Sequence, residues 1–206
     1  VNHSVWLCVT IRRHTWLNKT GGIVPEFIGG LPLHPLIVHF VVVLLPIAVL
    51  GAILTAVWPA VRRRFGWLAV AAAAVGTALV PVATSSGTNL AGRLPASSQD
   101  AQIDTHMELA ELMIWWALGL TVAVGALMVL HTMAERTTTA KVAVGSGGAE
   151  DVAQPAKGPG LAMIVVAVVT VGIAVGTGIH VFRVGDAGAR AVWEGVQNLP
   201  PQNNGG

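Results

Sequence analysis

Four of the seven histidines, His34, His39, His106 and His180, have the chemistry and surroundings to build a site. A neutral imidazole offers one lone pair to a metal or haem iron and one N–H to a neighbour. Imidazoles on facing helices therefore make axial haem ligands or a copper site. His39 stands out because it lies inside Val38-His39-Phe40-Val41, where an ionisable group needs a partner or a cavity. His39 with His106 or His180 is the expected ligand pair, for b-type haem first and for copper second, with His34 at the same level. Arg183 and Arg190 are expected to bind haem propionates through charge-assisted hydrogen bonds. A plainer account treats these imidazoles as polar residues at helix ends, where amphipathic rings belong. Glu108 suits the positive end of a helix, and Glu111, placed deeper, could accept a hydrogen bond from a ligating imidazole. Trp115 and Trp116 read as an interfacial belt rather than a cofactor box.

Other chemistries lack their residues. Cys8 is the single cysteine, so there is no intrachain disulfide, no CxxCH haem attachment and no thiolate metal site. No phosphate loop, nucleophile elbow, HExxH helix or paired-carboxylate signature occurs, and the chain reads as no enzyme by itself. A net charge of +2 without a basic arm gives nucleic acid nothing to bind.

The elements that must position the histidines are membrane spans. Of the 206 residues 53% are apolar and only 11% charged, far from a soluble domain's mix. Four apolar stretches, at about 35–58, 66–84, 107–131 and 160–182, each match the roughly 20 residues needed to cross a bilayer. The expected fold is an all-α, four-span helical bundle (31–185) lying in the lipid bilayer. A polar, disordered tail (1–30) precedes it, and a tail (186–206) follows with a short interfacial helix over about 186–195 and disorder from about 198. The first methionine is Met107, so Val24 is a plausible alternative start and residues 1–23 are expected to be dispensable.

Local signals mark the joints. Pro35 is expected at the first helical position, and Pro46 to kink the first span. Arg62, Arg63 and Arg64 are expected in a tight turn between spans one and two. The polar run 84–89 is expected to end span two, and Thr105 with Glu108 to form a capping box at span three. Residues 132–159 read as a flexible linker, and Gly172-x-x-x-Gly176 as a close helix contact. Six Lys/Arg in the arginine turn and the linker put that side in the cytoplasm, with both termini outside the cell membrane. Alternating spans then bring His34, His39, His106 and His180 to one layer near the outer surface, with His131 at the opposite face.

The segment Leu31-Pro32-Leu33-His34-Pro35-Leu36-Ile37-Val38-His39-Phe40 resembles the start of a bacterial four-span family, the domain of unknown function numbered 2231. Similar to that family, and most to its actinobacterial members, are also Trp58-Pro59 before basic residues, Ser86-Gly87-Thr88-Asn89-Leu90, Thr105-His106, and Arg183 through Trp193. The resemblance covers about Ile28 to Glu194. Family members often carry a histidine where this chain has Asp186. Some relatives are fused to cytochrome c or Rieske-type modules, which implies a redox partner.

Two functions follow as expectations. One is a redox or electron-transfer accessory subunit holding b-type haem, or copper, between its outer histidines, with a respiratory membrane partner or a second copy beside it. The alternative is a structural or assembly subunit without a cofactor, whose glycine faces pack on partner helices. A proton or small-cation transporter is disfavoured by the absence of a mid-membrane carboxylate.

Overall fold

The computed structural model describes residues 27–93, 101–145 and 160–194, the side chains of 137–145 excepted. It is a helical bundle preceded by a two-stranded ribbon. Strands β1 (Phe27–Ile28) and β2 (Leu31–Pro32) pair antiparallel, with Phe27 opposite Pro32. Gly29 and Gly30 turn the ribbon at φ 59° and 82°, values that suit a two-residue hairpin and that side chains resist. Arg93 stacks over the Phe27 ring at 5.3 Å, which ties the ribbon to the end of the second helix. Four helices follow: α1 (Leu33–Val57), α2 (Pro59–Ala91), α3 (Ala101–Gly145) and α4 (Leu161–Trp193). All four are long and apolar enough to cross a membrane. The two largest interfaces join α1 to α2 and α3 to α4; α2 packs on α3, and α4 closes back on α1. The described fold is therefore two helical hairpins side by side.

Packing in lipid rests on close contact and interhelical hydrogen bonds rather than on expulsion of water, and small residues permit that contact. The buried centre accordingly combines Ala48, Ala52, Ala69, Ala73 and Ala174 with Leu120 and Val124. A Cβ on Gly66 would fall onto the Met128 sulfur, and one on Gly76 would meet Leu45 at 2.8 Å, so both glycines let those side chains pack close against their helix. Threonines add polar ties: Thr77 Oγ1 lies 2.9 Å from Thr121 Oγ1 across α2 and α3. Thr170 donates to the Ala123 carbonyl at 3.3 Å across α3 and α4.

The helices run further than the apolar stretches. Arg62, Arg63 and Arg64 do not form a turn, because the break is Trp58 alone, in extended conformation, and α2 has already begun at Pro59. The run 84–89 stays helical to Ala91 because its hydroxyls find carbonyls one turn back, as Ser85 does at Pro81 and Thr88 at Thr84. Thr105 is no cap: α3 starts at Ala101, and the Thr105 hydroxyl bonds the Ala101 carbonyl at 2.7 Å from inside the helix. Residues 132–145, expected in a linker, continue α3. The expected interfacial helix after span four is the continuation of α4 to Trp193. Pro35 is the third helical residue, and Pro46 is accommodated within α1. Of Gly172-x-x-x-Gly176, only Gly176 is in contact, lying beneath Trp116; Gly172 faces open space. The expectations for residues 1–26, for 146–159 and for the tail beyond 194 lie outside the described residues.

Candidate functional site: an imidazole layer at one end of the bundle

Because α1 and α3 begin at the end of the bundle where α2 and α4 finish, His34, His106 and the last turns of α2 and α4 share that end. In the first hairpin the Nδ1 of His34 lies 2.9 Å from the carbonyl oxygen of Ala83 on α2 and 3.3 Å from the Ser86 hydroxyl. A carbonyl only accepts, so Nδ1 carries the proton and Nε2 keeps its lone pair. Gly87 lies against the ring: a Cβ there would sit 2.8 Å from Cε1 and 3.0 Å from Nδ1.

The second hairpin repeats this arrangement. His106 on α3 donates from Nδ1 to the carbonyl of Val184 on α4 at 3.0 Å. Four residues beyond that acceptor, as Gly87 is beyond Ala83, Gly188 offers a bare backbone to the ring, and a Cβ there would lie 3.0 Å from Cε1 and Nδ1. His180, buried on α4, returns the bond in the opposite direction, donating from Nε2 to the Leu109 carbonyl on α3 at 2.9 Å. It also stacks on Trp116, with ring centroids 5.9 Å apart and planes at 26°.

Main-chain carbonyls in a helix are already bonded, but each has a second lone pair. An imidazole that reaches it across an interface satisfies its own N–H away from water, where an unpartnered donor costs about 2 kcal/mol or more. Three histidines therefore act as cross-ties between helices.

His39 is placed differently. It is exposed on the outer surface of α1, and its Nδ1 bonds the Pro35 carbonyl one turn back on its own helix. The structure thus puts His34, His106 and His180 each on a main-chain carbonyl of a neighbouring helix and leaves His39 on the outer surface of α1. His39 faces outward, and Nε2 of His180 is engaged with the Leu109 carbonyl. The described residues contain no group of three or more His, Cys, Asp or Glu placed to hold a metal ion. Arg183 is exposed, and Arg190 is exposed and paired with Asp186 at 2.9 Å, within one turn of α4. Glu108 and Glu111 are exposed as well.

Sequence reasoning singled out the rings but missed their partners. Gly87, Ser86 and Gly188 lie in segments noted for their resemblance, yet one sequence carries no sign that a glycine abuts a particular histidine. Arg62 was also missed. Although it belongs to a basic triplet, it is buried and donates from Nε to the Thr55 carbonyl at 2.7 Å and from Nη2 to Ala56 at 2.5 Å. It thereby satisfies the open carbonyls at the end of α1.

No curated protein and no solved structure matches the chain. A family model described as predicted membrane protein (DUF2231) matches residues 30–198, a span that takes in all four helices and every cross-tie just described. The chain therefore belongs to the DUF2231 family of membrane proteins.

Proposed function

We propose that this protein is a non-enzymatic accessory subunit of a membrane assembly, in which the imidazole layer fastens the helices at one end. The outer helix faces are left for lipid and for neighbouring protein. The observation that carries this reading is that His34, His106 and His180 each spend a ring N–H on a main-chain carbonyl of an adjacent helix. Bonds of that kind fix register between helices and require no ligand. Large apolar side chains such as Trp115, Val122, Val168 and Phe182 point outward, as a lipid- or partner-facing surface needs. The arginine cluster orients the subunit in the cell membrane with the imidazole layer outside.

One observation favours a second reading, a redox subunit. His34 and His106 both bond through Nδ1, which leaves two Nε2 lone pairs at one end of the bundle. An imidazole anchored through its other nitrogen is the arrangement that metal-binding histidines use. B-type haem, or copper, is the group such a pair would take, with His34 in place of His39. Bound there, it would supply one-electron transfer to a redox partner.

One experiment decides between the two. Protein purified from its native membrane is examined by absorption spectroscopy and metal analysis, alongside His34→Ala, His106→Ala and His39→Ala. The accessory-subunit reading expects no stoichiometric haem, copper or iron. A reducible Soret band that survives His39→Ala and is lost in the other two variants would overturn it in favour of the redox subunit.

A further inference from the structure

The opposite end of the bundle holds an open groove of about 780 Å³ where α1 stops, α2 and α4 start and α3 passes by. Its walls are mainly apolar, with Leu130, Met163, Ala167 and Val168 among them, while its polar side chains among the described residues are Arg62, Arg63 and His131. Arg62 is committed to the end of α1. Arg63 is exposed and makes no ion pair or hydrogen bond among the described residues. The Nε2 of His131 is buried without a hydrogen bond among the described residues, and Glu135 Oε1 lies 3.4 Å from it.

Two helix N-termini open at the same place. Pro59 starts α2 and Leu161 starts α4, and neither helix has a side-chain cap or an acidic residue in its first turn. Free N–H groups and the positive ends of both helices therefore face a region already supplied with Arg63 and an unsatisfied imidazole. Cationic and N–H groups at the head of a groove, above apolar walls at the end of a membrane bundle, match the two halves of one molecule.

We propose that this groove binds one anionic phospholipid. The phosphate sits among Arg63, His131 and the start of α4, and an acyl chain lies along Met163, Ala167 and Val168. Charge complementarity favours an anionic headgroup, since among the described residues the charged side chains lining the groove are Arg62 and Arg63, with Glu135 beside the groove rather than in its lining. The apolar wall selects a lipid over free phosphate.

Native mass spectrometry of the full chain in detergent tests this, with dioleoyl phosphatidylglycerol titrated against dioleoyl phosphatidylcholine. The first phosphatidylglycerol should bind at least roughly fivefold more tightly, and Arg63→Gln should lose about that factor for phosphatidylglycerol alone, the effect of one basic contact at an anionic surface. Ala167→Trp, which narrows the groove without changing charge, should weaken both lipids, and unchanged melting temperatures exclude misfolding for either variant. Equal affinity for the two lipids, indifference to Arg63→Gln, or complete displacement by millimolar inorganic phosphate would each overturn the proposal.

Discussion

Replacing Gly87 by alanine puts the imidazole layer under a direct steric test. The added Cβ would lie 2.8 Å from Cε1 of His34, whereas ordinary contact begins at 3.4 Å, so the ring must retreat by about 0.6 Å. A shift of that size disturbs the 2.9 Å bond to Ala83, because ring and acceptor belong to different helices. Overpacking of this kind costs about 1–3 kcal/mol. A weakened interhelical hydrogen bond in a membrane adds about 0.6 kcal/mol. Alanine's greater helix propensity returns up to about 1 kcal/mol. The net expectation is a loss of roughly 0.6–3.6 kcal/mol, reached from those three contributions. Gly172→Ala is the matched control: nothing lies within 4 Å of its new Cβ, so only the propensity gain remains. Reversible unfolding in mixed micelles, followed by tryptophan fluorescence, would measure both. The double variant His34→Ala/Gly87→Ala removes the ring that the methyl strikes and should recover the steric part of the loss. If Gly87→Ala is as well tolerated as Gly172→Ala, or the double variant recovers nothing, the placement of His34 against α2 is wrong.

Three further outcomes are expected. Arg62→Ala, which opens the carbonyls of Thr55 and Ala56, should destabilise the bundle by about 1.5–3 kcal/mol in the same unfolding assay, while Arg63→Ala should change it little. His180→Ala removes both the bond to Leu109 and the stack on Trp116, and should cost about 2 kcal/mol, whereas His39→Ala, on the outer surface, should leave stability within about 0.5 kcal/mol of the parent. For the proposed orientation, single cysteines at Ser98 and Ser146 in a Cys8-free background should differ in intact cells, Ser98 reacting with an impermeant thiol reagent and Ser146 remaining protected.

The membrane fold was legible because it depends on counting: stretches such as Leu33–Val57 are apolar enough to cross a bilayer whatever they pack against. Helix ends were less so. A polar residue is not a helix stop when, like Ser85 or Thr88, it can return its hydroxyl to a carbonyl of the preceding turn. Arg62 shows the same limit in another form: three adjacent arginines look alike in sequence, and only the rotation of α2 against α1 decides which one is buried. Of the site, the depth of His34, His106 and His180 followed from alternating spans, whereas their partners did not. The outward position of His39 was hidden for a related reason, since α1 is apolar on every side and its pattern does not distinguish a lipid-facing direction from an inward one.

The recurrence of one clasp in both hairpins bears on how the chain enters a membrane. Each hairpin carries its own fastening, His34 on Ala83 in the first and His106 on Val184 in the second, and each fastening joins the start of a helix to the end of its successor. Neither clasp spans the junction between Arg93 and Ala101. Residues up to Arg93 can therefore close as a finished pair before α3 has left the ribosome, and the later pair can close against itself before docking. A gene divided at that junction should yield two polypeptides that insert independently and meet in the bilayer as preassembled halves.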